Sequence, residues 1–257
     1  MLGAIAGDII GSVYEARPTK SRDFPLFSRG CRFTDDTVLT AAVADAILNG
    51  ADYTDKFHEY FERYPDAGFG GSFMQWAMLR SRKPYYSFGN GSAMRVSPVG
   101  FAFDDLETVL AEAEKSAAVT HNHPEGIKGA RATAASVFLA GTGAGKKEIR
   151  DFVSGRFDYD LDQPLKDIRR TYRFDVSCQG SVPQSIIAFL ESGSYEDAVR
   201  NAISLGGDAD TMAAIAGGIA EAHYGLPEQI ASRALSFLDD ALKGVVDLFA
   251  ERFITPY

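Results

Sequence analysis

Glycines 3, 7 and 11 recur on one face of an apolar run from Leu2 to Tyr14. That spacing predicts a helix pressed closely against another backbone, since each interior glycine costs roughly 1 kcal/mol of helix propensity. A polar loop with Pro and Gly spans 19–33. Val38 to Leu48 then reads as a small-residue helix that stops at Asn49-Gly50, a favoured C-terminal signal. Thr54 to Tyr64 sets Phe57, Tyr60, Phe61 and Tyr64 on one stripe, again helical. A glycine-rich loop over 65–71 leads into a helix carrying Trp76, with Ser72 as its expected cap, and a second glycine loop, 85–95, opens another helical segment. Asp104 to Val119 is amphipathic with Leu106, Val109, Leu110 and Ala113 inward, and 125–140 is Ala-rich. One or two short helices are expected in 146–175. Helices follow over Ser181 to Glu191 (Pro183 in the first turn), Tyr195 to Ser204, an Ala/Gly segment ending at His223-Tyr224-Gly225, and Pro227 to Phe253. No run alternates with period two, and no linker or repeat shows. The expected fold is all-α, a single compact domain over 1–257.

Composition narrows the partners. At 257 residues, 46% apolar and 24% charged, the chain has the make-up of a soluble globular protein. A formal charge of −9 with a pI near 5.0 argues against binding nucleic acid through phosphate contacts. Two cysteines, Cys31 and Cys178, have no CxxC spacing and suggest a reducing compartment. The first eight residues briefly resemble a secretory signal but lack a basic region, and Asp8 interrupts the apolar run. No apolar stretch approaches the roughly 20 residues of a membrane span. A cytoplasmic monomer without a membrane or nucleic-acid requirement is expected.

Two helix mouths carry the chemistry. Thr34-Asp35-Asp36 precedes one small-residue helix, and Asp208-Ala209-Asp210-Thr211 opens another. One acid at a helix N-terminus is ordinary capping. Paired acids at both mouths repel unless cations sit between them. All six groups are oxygen donors, which suits Mg²⁺ or Mn²⁺ better than Zn²⁺ or copper, and four carboxylates match two divalent ions. The alternative is two unrelated N-caps with spare surface acids. His121 and His123 could bind a transition metal, but no third His or Cys lies nearby. The stretch Ala140 to Lys147 imitates a phosphate-binding loop and is discounted, because it follows a helix where a strand is required. Taken alone, Glu15 reads as a solvated residue at a helix end.

In order, the segments Gly7 to Glu15, Phe33-Thr34-Asp35-Asp36-Thr37, the Gly68-to-Gly71 and Gly89-to-Arg95 loops, Thr120-His121 and Gly206 to Thr211 resemble the ADP-ribosylglycohydrolase family. The resemblance runs from residue 2 to about residue 225. It implies an orthogonal all-helical domain with two Mg²⁺ (or Mn²⁺) ions at the base of a cleft. The implied metal residues are Thr34, Asp35, Asp36, Asp208, Asp210 and Thr211, with Asp36 also counted as catalytic. It moves Glu15, on a mobile loop in the family, to leading catalytic candidate. Gly68, Gly70 and Gly71 with Gly89, Asn90, Gly91 and Ser92 match segments around the diphosphate and distal ribose. His121 matches a residue on the adenosine side. The implied reaction is hydrolysis at C1″ of ADP-ribose attached to a protein side chain. Arginine is the first expectation for the acceptor, serine or another O-linked acceptor the alternative, and a non-catalytic nucleotide-binding protein a further reading.

Overall fold

The computed structural model describes residues 1–254. Its core is built on a seam between the two glycine-bearing helices, α1 (Leu2–Gly11) and an Ala/Gly helix late in the chain. Between them come α2 (Asp35–Asn49), α3 (Tyr53–Arg63), α4 (Gly71–Met78), α5 (Gly91–Met94), α6 (Ser97–Ala102), α7 (Leu106–Ala118) and α8 (Pro124–Gly141). After them follow α9 (Lys146–Phe157), α10 (Leu165–Thr171), α11 (Cys178–Leu190) and α12 (Tyr195–Ile203). The late helix is α13 (Ala209–Tyr224), and α14 (Glu228–Leu235) and α15 (Asp240–Phe253) close the chain. Among the described residues the only strand-like pairing is an isolated bridge between Gly89 and Ser177.

α13 is buried from Ala209 to Ala222 and touches α1, α5, α6, α8, α11 and α12. Its contact with α1 is backbone to backbone. A Cβ at Gly7 would overlap the Ala213 carbonyl, one at Gly11 would overlap the Ala209 carbonyl, and one at Gly217 would overlap the Gly3 carbonyl. The close packing expected of glycines 3, 7 and 11 is therefore met by α13. Polar groups fasten the far end: Glu221 accepts from the Met1 amino group and from Gly3 N at 2.8 Å, and Tyr195 OH donates to Gly3 O at 2.6 Å.

Several expectations need adjustment. α1 ends at Gly11, and α4 starts one residue before Ser72, with Gly70 as its cap and no side-chain cap bond. α11 begins a turn earlier than expected, at Cys178, which leaves Pro183 inside the helix. The earlier start is set from outside the segment: Cys178 N bonds Phe88 O, and Ser177 Oγ accepts from Gly180 N. The loop after α1 is tied down beyond Arg17. Lys20 Nζ bonds the carbonyls of Tyr172 and Leu205, and Arg200 Nη1 bonds those of Arg22 and Phe24. The stretch 142–145 is a turn between α8 and α9, where Gly145 N bonds Glu148 Oε2. No helix among the described residues is long and apolar enough to cross a membrane.

Candidate metal centre and cleft

The α1–α13 seam places the mouth of α13 beside that of α2. Thr34 is a true N-cap, its Oγ1 accepting from Asp36 N at 3.3 Å. Asp208 occupies the equivalent position on α13 but makes no cap bond. Its carboxylate instead accepts from Asn90 Nδ2 at 2.7 Å. The two mouths meet where Thr211 Oγ1 donates to Asp36 Oδ2 at 3.3 Å. The sequence-predicted acids Asp36, Asp208 and Asp210 are thus buried together, with Asp35 half-buried beside them.

Sequence reasoning gave no role to Asp8. It is fully buried on α1, and its carboxylate accepts from Thr34 N at 2.9 Å, Thr34 Oγ1 at 2.7 Å, Thr37 N at 3.1 Å and Thr37 Oγ1. Oxygens of Asp8, Asp36 and Asp210 lie within 4.8 Å of one another, as do those of Glu15, Asp208 and Asp210. Four donors already occupy most of the lone pairs of Asp8. Its part is to hold the turn that presents Asp35 and Asp36, in the manner of an outer-shell group that orients ligands. Its position directly after a helical glycine, in a run otherwise apolar, was the available signal.

The electrostatics disfavour four bare carboxylates here and suit a cation. Burial, then neighbouring Asp210, pushes Asp36 well above the ordinary carboxylate range, and burial followed by Asp208 does the same to Asp210. Burial and then Asp8 raise Asp35 to about 7, and burial raises Asp8 to about 6 against its hydrogen bonds. Asp36 Oδ1 is buried without a hydrogen-bond partner. An oxygen-only donor set with one orphaned carboxylate oxygen fits a hard divalent cation.

These acids form one wall of a cleft of about 350 Å³. Glu15 is exposed at its rim, its pKa raised by burial and Asp208 while Arg32 opposes them. Gly68, Gly70 and Gly71 also line it, with the first turn of α4, Gly68 next to the Asp35 carboxylate; that turn leaves backbone N–H groups without helical partners. The second glycine loop is less open than expected. Gly89 N bonds Ser87 Oγ, Asn90 N bonds Val176 O, and Ser92 Oγ is buried against Gly126 O at 2.7 Å. The side chains of Asn90 and Ser92 therefore serve Asp208 and the core, and the amides of Gly91 and Ser92 are what this loop can offer a ligand.

His121 reaches this loop with Nε2. Arg95, fully buried against the Phe57 ring, donates from Nη2 to Thr120 Oγ1 at 2.9 Å, and that hydroxyl lies 2.7 Å from His121 Nδ1. A guanidinium can only donate, so the hydroxyl proton is free for Nδ1, which leaves the imidazole proton on Nε2, or for the neighbouring Tyr85 hydroxyl. Burial, then Arg95, holds the His121 pKa well below its usual value, which keeps the ring neutral. His123 does not join it: its Nδ1 accepts from Glu125 N at 3.0 Å as the cap of α8.

The model of the ADP-ribosylglycohydrolase family matches residues 1–256. The chain belongs to that family. Its enzymes hydrolyse ADP-ribose linkages, and this member is an ADP-ribosylglycohydrolase acting on ADP-ribosylated substrates. It is 27% identical to ADP-ribosylhydrolase ARH3 of Homo sapiens, covering 89% of this chain and 85% of that protein. It is 24% identical to ADP-ribosylarginine hydrolase Tri1 of Pseudomonas putida (strain GB-1), covering 88% of this chain and 70% of that protein. A solved structure described as an ADP-ribosylglycohydrolase-related protein complex matches with a TM-score of 0.72 at 22% identity, over 98% of this chain and 96% of that one. That match bears on the fold alone, and it is the orthogonal helical fold expected from the motifs.

Proposed function

We propose that the protein is a dinuclear-metal-dependent hydrolase that cleaves the C1″ bond between ADP-ribose and an O-linked side-chain acceptor. The observation that carries it is the contact between Thr211 and Asp36, which merges two acidic helix mouths into one buried cluster with Glu15 at its rim. Asp35, Asp36, Asp208 and Asp210, with the hydroxyls of Thr34 and Thr211, would hold two Mg²⁺ or Mn²⁺ ions. Bound there, the ions supply Lewis-acid charge for sugar hydroxyls and for water. Asn90 keeps Asp208 in place, and Asp8 does the same for the α2 mouth. The carboxylate field favours the oxocarbenium character that develops at C1″. Glu15, its pKa raised, is suited to exchange a proton with the attacking water or the leaving oxygen. The α4 amides and His121 Nε2–H give a net-acidic protein neutral donors for the diphosphate half of the ligand.

For the acceptor, one feature favours the O-linked alternative over arginine. Arg32 stands beside Glu15 at the cleft rim without an ion pair among the described residues. A second guanidinium brought there would meet like charge.

Release of free ADP-ribose from serine-linked and arginine-linked peptides, with Mg²⁺ or with chelator, tests the proposal. The serine conjugate should turn over only with metal. Asp208→Asn should abolish that turnover, and Glu15→Gln should lower kcat by ~10²-fold or more while ADP-ribose still binds. Unchanged turnover in chelator and in Asp208→Asn would refute the metal centre, and AMP as product would mean the diphosphate is cut instead.

A further inference from the structure

The segment after α1 has two sides. Glu15 faces the carboxylate cleft, whereas Tyr14, Ala16 and Arg17 line a second cavity of about 450 Å³ closed by Ser28, Arg29 and Arg32. Arg32 lines both spaces, so the second cavity begins where Glu15 guards the first. No acid lines it. None of its three guanidinium groups makes an ion pair or side-chain hydrogen bond among the described residues, whereas Arg22, Arg82 and Arg200 are all paired. In a chain of net charge −9 acids are plentiful, yet none lines this cavity, and Glu15, beside Arg32, faces the other cleft without an ion pair to it. Three like charges around one concavity repel, and an anion received between them relieves the repulsion through forked, charge-assisted hydrogen bonds.

We propose that this arginine cavity is an acceptor subsite, which receives a carboxylate or phosphoserine next in the peptide to the ADP-ribosylated residue. The assignment rests on the reading of the carboxylate cleft as the ADP-ribose site. ADP-ribose fills that cleft, and the acceptor must leave past Glu15 and Arg32, into the arginine cavity. A peptide suits it better than a nucleic acid: a phosphodiester strand needs an extended basic track, and the surrounding protein is acidic.

The test uses two mono-ADP-ribosylated peptides that differ only in the residues flanking the modified serine, glutamate in one and glutamine in the other. Binding is read by fluorescence anisotropy in the Glu15→Gln protein with Mg²⁺ present, so the conjugates stay intact. The glutamate peptide should bind about tenfold tighter at low salt, with the advantage shrinking as NaCl screens it. Replacing both Arg17→Gln and Arg29→Gln should bring the ratio of the two affinities toward one; both residues are exposed, so the core is untouched. Equal affinity for the two peptides, or a ratio unaltered in the double variant, overturns the subsite while leaving the ADP-ribose cleft intact. If neither peptide binds, the cleft reading fails and the subsite fails with it. A single-stranded DNA oligonucleotide that displaces the glutamate peptide as well as an unmodified acidic peptide does overturns the peptide assignment.

Discussion

Thr120 sits between a buried guanidinium and a ring whose tautomer its hydroxyl is placed to set. Arg95 donates to its hydroxyl on one side, and His121 Nδ1 lies 2.7 Å away on the other. Thr120→Val keeps the volume and removes the relay. The expected result is a mixture of His121 tautomers in ¹⁵N NMR spectra and about tenfold weaker ADP-ribose binding, with Thr120→Ser restoring both. A single Nε2–H tautomer surviving in Thr120→Val would show that the hydroxyl does not set it. Residue-level legibility was uneven for a physical reason. Acids at helix mouths announce themselves because capping cannot explain two at once, so Asp35, Asp36, Asp208 and Asp210 could be picked out together. Asp8 lies within a helix, where a lone acid looks like an interruption, and its partners Thr34 and Thr37 are 26 and 29 residues further on. Asn90 was expected among the substrate-binding residues of the second glycine loop, and only the fold brings its side chain to Asp208.

At the level of elements, helices with a clear stripe were legible to within a residue or two: the segment expected over Thr54 to Tyr64 is α3, Tyr53–Arg63, and that over Tyr195 to Ser204 is α12, Tyr195–Ile203. α11 was misjudged because its start depends on Phe88 and on the Gly89–Ser177 bridge, contacts that leave no trace within the segment. The α1–α13 seam could be half-read: three glycines in register promise a close neighbour but do not name it. Because the seam carries Asp8, which holds the α2 mouth, on one helix and Asp210 on the other, its spacing sets the spacing of the proposed metal ligands. Gly7→Val should force the helices apart, lower stability by about 3 kcal/mol or more in urea unfolding, and weaken Mg²⁺ binding measured by calorimetry. Full stability with ordinary Mg²⁺ affinity would show that the seam tolerates the added side chain.

Across the whole molecule, the buried carboxylates couple folding to pH and, under the proposed function, to metal. Asp8 and Asp35 are raised from 3.8 to about 6 and about 7 in the folded chain. An acid with a raised folded-state pKa holds its proton longer when folded than when unfolded. Its contribution is therefore complete below the unfolded value and is lost as pH climbs through the folded one. Metal-free protein should lose stability, by a few kcal/mol as an order of magnitude, as pH rises from about 4 to about 7. Saturating Mg²⁺ should remove that loss, because the ion binds the deprotonated ligands of the folded state alone. Urea midpoints across this range, with chelator and with Mg²⁺, check both halves. A chelated protein that gains stability toward neutral pH would contradict them.

The seam between α1 and α13 also imposes an order on manufacture. α1 leaves the ribosome early, but the groove that seats its glycines is lined by residues made ~200 positions later, tens of seconds at ordinary elongation rates. Until then α1 can lie against α2, to which Asp8 ties it, but its glycine face has nothing to lie against and Asp8 has no α13 acid to oppose. The glycine face of α1 is thus seated only once α13 has been made, and a nascent chain stalled before α13 is a natural client for a chaperone that grips short apolar segments.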